Sequence, residues 1–365
     1  MKKWVWQVTE WPYFYYDSSK IISHERKFIQ QIGKFAAVLS YIHSEDKEKF
    51  IIEALSEEGL KSSEIEGEIL ERESLQSSIK KHLGLKKDIG ESPKEKGMAA
   101  LLCDVYQSYQ NPLTADMLFN WHQQLMEFKS TKITVGKYRD HSEPMQVVSS
   151  RYDKREVFYE APPSKRVPVE MAVFIDWFNK IDSSESILGK AALIHVYFEC
   201  IHPFEHGNGR IGRALVEKYL SMTFETPLLL PLSQIIYKNQ KAYYAALGSC
   251  NQSLDANTWV QFFVRVIEEA QESAIEIVNF LLFKTKLFDR FKGKINQRQE
   301  KALLRIFKEG PEGFKGGLSA EKYIAITKTS RATATRDLHE LVSMQVLEKT
   351  GKLKHTRYWL IKTKL

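Results

Sequence analysis

The stretch 201-IHPFEHGNGRIGR-213 limits the fold more tightly than any other part of the chain. Apolar periodicity predicts helices over 189–200 and 207–224. Pro203 is acceptable only in a helix's first turn, since it has no N–H to donate and its ring meets the preceding turn. Gly207 and Gly209 allow a backbone that side chains would obstruct. The chain must therefore leave one helix, turn, and start another within this stretch. If the second helix starts near Asn208, its free N–H groups and positive dipole end face one point, a ready setting for an anion.

Two chemistries compete for this turn. His202-Pro-Phe-Glu-His206 matches H-x-x-E-H, an inverted zinc-protease pattern. Zinc requires both histidines on one face of a regular helix and a further acidic ligand downstream. Pro203 spoils the helix, and that reading leaves Gly207-Asn208-Gly209-Arg210 without a task. A phosphate reading uses every residue. Gly207, Asn208 and Gly209 let backbone N–H groups approach an anion, and Arg210 and Arg213, three apart, reach the same side. His202, just upstream, can take a proton from an attacking hydroxyl. The plainer alternative is a glycine-rich connection with structural arginines.

HPFEHGNGRIGR is similar to the signature H-P-F-x-[D/E]-G-N-[G/K]-R-x-x-R of the Fic (filamentation induced by cAMP) family. The likeness continues in 136-GKYR-139, 157-VFYEAPPSKRVP-168, 195-HVYFECIHPF-204 and 243-YYAAL-247, over roughly residues 98–285. The resemblance implies a mainly α fold, a helical core with a β-hairpin flap, and transfer of AMP from ATP to a Ser, Thr or Tyr hydroxyl of a target protein. It makes His202 the general base, Gly207, Asn208 and Gly209 an anion hole, and Arg210 and Arg213 holders of the terminal phosphates. Val157, Phe158 and Tyr159 fall in the flap that clamps a target segment as an added strand. Tyr243 and Tyr244 fall near the adenine pocket, with helix packing an equal alternative. The phosphate motif does not fix the base, so transfer of UMP or phosphocholine stays open, as does a site that only senses nucleotide.

Upstream, 62-SSEIEGE-68 fits the inhibitory signature [S/T]-x-x-x-E-[G/N] through Ser62, Glu66 and Gly67. Glu66 is expected to pair with Arg210 and withdraw it from the γ-phosphate, leaving the α-phosphate misaligned. The same glutamate can hold a water against an AMP–protein linkage, which would make the enzyme reversible. One position departs from the family. Where an acid normally meets Mg²⁺ the chain has His206, with Glu205 displaced by one. Mg²⁺ prefers oxygen ligands, whereas imidazole suits Mn²⁺ and later metals. A weakened metal site with retained chemistry is the expectation, against replacement by Mn²⁺ or crippled transfer.

The expected organisation is an N-terminal helical region (1–97, inhibitory helix about 60–83), a Fic core (98–292) and a winged helix-turn-helix (293–365). Gly59 is expected to end a first helical run, and 84–97 reads as a linker. Helices predicted near 297–308, 318–328 and 331–347, followed by short strands near 347–349 and 357–361, give the winged layout. From Ile295 to Leu365 there are 15 Lys/Arg against 7 Asp/Glu, a net of +8, while the rest carries 38 against 39. Such asymmetry points to double-stranded DNA, read by Arg331, Thr333, Thr335 and Arg336 on the second helix and by Lys352, Lys354 and Arg357 on the wing. Pairing on palindromes makes a homodimer the expected assembly. No run of eighteen apolar residues exists, so no membrane span is expected. Three scattered cysteines and no secretory signal suit a cytoplasm, with export to a host by another route left open.

Overall fold

The computed structural model describes residues 3–85, 92–129, 133–148, 156–180, 185–310 and 313–361. Among them the chain is mostly helical with two small antiparallel hairpins. It divides into two compact units, one of residues 1–33 and 48–274, the other of 34–47 and 275–365. None of its helices is long and apolar enough to cross a membrane, among the described residues.

The first unit is built around α7 (Ile187–Ile201), whose residues are buried on nearly every side, as expected for a helix apolar all round. Ser186 starts it, its Oγ accepting from the Gly189 N–H at 3.0 Å. Its most extensive partner is α8 (Asn208–Thr223), so the 202–207 turn joins the two central helices. Around them lie α2 (Ser44–Ile65), α3 (Arg72–His82), α4 (Pro93–Ser108), α5 (Ala115–Met126), α6 (Val167–Asn179), α9 (Leu232–Lys238) and α10 (Gln240–Ser249). Strands β1 (Gln146–Val148) and β2 (Val157–Glu160) make the expected hairpin, with Val147 opposite Tyr159 and a bulge beside it. Tyr159 is buried and its hydroxyl donates to the Cys200 carbonyl at 2.6 Å, which anchors β2 to α7. The N-terminal tryptophans pack there too. Trp4 meets Tyr159 edge-on at 5.6 Å, and the Trp6 indole donates to the Glu160 carbonyl at 2.8 Å.

The structure corrects three local readings. Gly59 does not end a helix; it lies inside α2, where a Cβ would press on Leu75 and Leu102 at 3.0 and 3.1 Å. The stop is Gly67, at φ +74°, a left-handed cap. Glu68 N donates to Ser63 O at 2.9 Å and Gly67 N to Glu64 O at 3.0 Å, closing that cap. The expected helix over 60–83 is therefore two pieces, and Ile69, between them, is 87% exposed. At 93–97 the chain is already helical, with Pro93 in the first turn of α4 and Gly97 pressed against the backbone of α5. The part of the expected linker at 86–91 lies outside the described residues. α9, which follows Pro231, has only 7 residues, too few to show a period.

The second unit holds α12 (Gln297–Lys308), α13 (Ala320–Thr327), α14 (Arg331–Ser343) and the hairpin β3 (Leu347–Thr350) and β4 (Arg357–Leu360). Its core includes Leu303, Ile306, Tyr323, Leu338, Leu341 and Leu347. The tight turn follows from Lys328 at φ 56° and Ser330, whose Oγ accepts from Thr333 N at 3.3 Å to cap α14. Asp337, buried, ties the helices together. It accepts from Arg298 Nε at 2.8 Å and Nη2 at 3.0 Å and from the Tyr323 hydroxyl at 2.9 Å. Burial acts to raise its carboxyl, but these donors outweigh it and hold the group below its ordinary range.

Candidate active site

α7 ends at His202, whose backbone is left-handed (φ 51°, ψ 59°), because Pro203 cannot continue the helix. Asn208 then clamps the turn: its Oδ1 accepts from Phe204 N at 3.0 Å and its Nδ2 donates to Phe204 O at 2.8 Å. Gly207, at φ +82°, starts α8, and a Cβ there would stand 2.8 Å from Met126. Both glycine freedom and a short polar side chain are thus spent on shaping the loop. Arg139 fastens it from outside. Its guanidinium donates to His202 O at 2.8 Å, Ser164 Oγ at 3.0 Å, Pro162 O at 2.5 Å and Ile201 O at 3.3 Å. One cation so joins the site turn to the chain leaving the flap.

His202 is mostly buried, its side chain 14% exposed. Burial, helped by the Arg139 charge, pushes its pKa down to about 4, so the ring is neutral at pH 7 and free to accept a proton. Nδ1 faces the Glu199 carbonyl at 3.3 Å, which leaves Nε2 for a substrate when Nδ1 carries the proton. Beside it the Glu199 carboxyl is pushed up to about 8, first by burial and then by Glu66. A neutral acid and a neutral base stand together.

The start of α8 has an anion over it already. The Glu66 carboxylate lies where a Cβ on Gly209 would be, so only glycine admits it. Glu66 Oε1 accepts from Arg213 Nη2 at 2.9 Å. Arg213 is buried and also donates through Nε to Ser62 Oγ and through Nη2 to Ser62 O, each at 2.9 Å. The expected partner, Arg210, is not the one observed. Ser62 and Glu66, four apart at the end of α2, meet Arg213 together. Arg210, 4% exposed, instead donates from Nη1 to Glu68 Oε2 at 2.6 Å.

Of the residues picked out in the sequence, the structure brings together Ser62, Glu66, His202, Gly207, Asn208, Gly209, Arg210 and Arg213. Gly67 shapes the turn that carries Glu66. Tyr243 is buried, with its hydroxyl 2.7 Å from His195 Nε2, so it packs in the core; Tyr244 is 49% exposed. On the flap, Tyr159 faces inward and Phe158 outward, 47% exposed, and Val157 is half-buried. In the second unit Arg331, Thr335, Arg336 and Lys352 are exposed, while Thr333 and Arg357 are half-buried. The Lys354 side chain lies outside the described residues. Sequence reasoning assigned no role to Arg139, Glu199, Glu68 or Lys129; Arg139 stood in the quoted GKYR, and Glu68 beside the inhibitory pattern.

His206 is exposed, and its pKa is lowered, chiefly by partial burial and then by Lys129. It offers nitrogen, and Glu205 is engaged elsewhere, accepting from Thr134 N at 3.3 Å. These side chains do not suit Mg²⁺, which wants oxygen in strict octahedral geometry.

A neutral imidazole thus stands beside a glycine-rich helix start with two buried arginines, an arrangement chemically suited to an anion. The sequence pattern of the Fic/DOC family matches residues 112–220, and a domain of unknown function, DUF4172, matches 4–85. The match to the Fic/DOC family thus covers the site turn, α7 and most of α8. It is 32% identical over 94 residues to a probable protein adenylyltransferase of Aquifex aeolicus, covering 26% of this chain and 27% of that protein. It is 30% identical over 142 residues to the protein adenylyltransferase Fic of Drosophila willistoni, covering 38% and 26%. The match thus spans about a quarter of the length of these relatives. Among solved structures, a Fic family protein from Desulfovibrio desulfuricans aligns over 95% of this chain and 97% of its own, with a TM-score of 0.55 at 22% identity. A Fic domain containing signaling protein from Bacteroides thetaiotaomicron covers 72% and 97%, with a TM-score of 0.53 at 22% identity. Both speak to the fold.

Proposed function

We propose that the chain is a protein adenylyltransferase restrained by its own Glu66. The carrying observation is the Glu66 carboxylate seated over Gly209 and paired with buried Arg213, at the place where the helix start would take a phosphate. In the active state Glu66 leaves, and the triphosphate of ATP lies against the α8 start with Arg210 and Arg213 on its outer phosphates. Neutral His202 takes the proton of a target Ser, Thr or Tyr hydroxyl. The hydroxyl oxygen attacks the α-phosphorus, the bond to the bridging oxygen of the β-phosphate breaks, and pyrophosphate leaves with its electrons. The flap, which exposes Val147 and Phe158, supplies a strand for the target segment to join. Names of relatives support AMP as the transferred group. No step is assigned to a metal ion; His206 suits Mg²⁺ poorly and Mn²⁺ better.

Reversal belongs to the same reading. With AMP on a protein, Glu66 holds a water and His202, protonated, returns the proton to the leaving hydroxyl. The second unit, a helix-turn-helix with a basic hairpin, is proposed as a winged helix that binds duplex DNA, as a pair of chains on a palindrome. These finer points rest on the basic excess and on the exposed Arg331, Arg336 and Lys352.

Incubation with α-labelled ATP and a cell extract tests the main claim. Glu66→Gly should label itself or extract proteins more strongly than wild type, and Glu66→Gly with His202→Ala should not. Label from γ-labelled ATP, or none from either, would turn the reading toward phosphorylation or toward a nucleotide sensor.

A further inference from the structure

The segment between α2 and α3 carries two carboxylates toward the site, and the inhibitory signature accounts for only one. Glu68 sits two residues past Glu66, on the far side of the Gly67 cap, and its side chain is 13% exposed. Its two oxygens are divided between two cations. Oε2 takes Arg210 Nη1 at 2.6 Å, and Oε1 takes Lys129 Nζ at 2.5 Å, from the short 3-10 turn that follows α5. Burial acts to raise the Glu68 carboxyl, but Arg210 and then Lys129 outweigh it and hold the group below its ordinary range. Arg210 is nearly inaccessible, and its Nε is buried without any hydrogen-bond partner. A buried guanidinium with a donor to spare is underused as a strut, since an unmet buried donor costs stability. It has the geometry of a ligand whose anion is elsewhere.

We propose that Glu68 is a second gate, which keeps Arg210 and Lys129 closed against the phosphate chain while Glu66 keeps Arg213. Lys129 thereby becomes a phosphate-binding residue, a compact cation beside the place where the family signature has its acid and this chain has His206. The inference rests on the adenylyltransferase reading for which anion enters, a nucleoside triphosphate. Its logic is a population shift. A ligand that needs the open state binds more weakly by the fraction of molecules that are open. Removing the Glu68 charge raises that fraction for any polyphosphate, whether or not a group is later transferred. AMP, which has no β- or γ-phosphate, should be nearly indifferent. Opening Glu66 alone frees one arginine and leaves the other still paired.

Calorimetric titration of the full-length protein with inorganic tripolyphosphate, ATP and AMP tests this without any transfer readout. Glu68→Gln is expected to bind tripolyphosphate and ATP about tenfold more tightly than wild type, within the range usual for coupled sites, with AMP unchanged. Lys129→Met added to Glu68→Gln should give back most of the gain. Glu68→Asp keeps the charge but is too short to bridge both cations, and should show a smaller gain in the same order; it decides the matter if the glutamine variant melts early. Unaltered tripolyphosphate affinity in a folded Glu68→Gln or Glu68→Asp protein overturns the gate, as does a gain that Lys129→Met leaves intact. Labelling by Glu66→Gly together with such a result would remove the gate alone. A tripolyphosphate gain without any labelling would keep the gate and remove the transfer reading.

Discussion

At the residue scale the site works by charge states that burial sets. His202, at about 4, is neutral at physiological pH, so no proton has to be removed before it can serve as the base proposed above. The Glu66 carboxylate is among the influences that raise it, so Glu66→Gly moves it further down. Transfer by that variant should therefore not fall between pH 8 and pH 6 on account of His202; a rate that halves near the ordinary imidazole value of about 6.5 would mean a solvated ring. Stability carries the opposite pair of signs. His122 and His202, both near 4, and His195, near 3, are depressed below the usual 6.5. Their contribution is full above 6.5 and is lost as pH falls toward 4. Glu199, raised from 4.5 to about 8, contributes fully below 4.5 and loses that contribution as pH rises through 8. A tenfold change in proton affinity between the folded and unfolded chain corresponds to about 1.4 kcal/mol. In Glu199→Gln the melting temperature at pH 8, relative to that at pH 5, should rise compared with wild type. An unchanged difference would show that Glu199 is ionised in the folded protein.

At the scale of the element, the end of α2 carries the two carboxylates that meet Arg213 and Arg210. Gly67 has no atom within 4 Å of where a Cβ would stand, so the case for glycine there is its φ of +74° alone. Gly67→Ala should cost about 1–2 kcal/mol, the penalty of a left-handed backbone for an L-residue. Because that turn aims both Glu66 and Glu68, the same change should increase labelling from α-labelled ATP. A lowered denaturation midpoint with unchanged labelling would mean that the turn holds its carboxylates by other means. The motif around Ser62, Glu66 and Gly67 was legible because its spacing is short. The pairing of Glu66 with Arg213, and of Glu68 with Arg210, was not. Both arginines lie on one face of α8, and only the approach of α2 across that face assigns each acid its cation.

For the whole molecule, the second unit adds a basic surface to a chain otherwise close to neutral. If Arg331, Arg336, Lys352 and Arg357 each meet a phosphate, affinity for duplex DNA should fall by about a hundredfold between 50 and 200 mM salt, from the slope per phosphate. Electrophoretic shifts at several salt concentrations measure it, and a flat dependence would assign that surface to protein contact. The helix-turn-helix and its hairpin were readable from periodicity and turn residues. Asp337, which joins three helices through Arg298 and Tyr323, was not, since its partners lie 39 and 14 residues away.

The sequence by itself determined that a helix must end at Pro203, which has no N–H to donate, and that Gly207 frees the backbone to turn there; it did not single out Gly67 over Gly59, because a glycine permits a break without requiring one. It also determined the chemistry on offer at the turn, because imidazole, guanidinium and glycine N–H groups are fixed by residue type. Only the tertiary structure decided which charges meet, since an ion pair depends on two elements arriving together. It placed Arg139 across the turn, set His202 and Glu199 in a buried interior that keeps both uncharged at pH 7, and brought two carboxylates to Arg213 and Arg210.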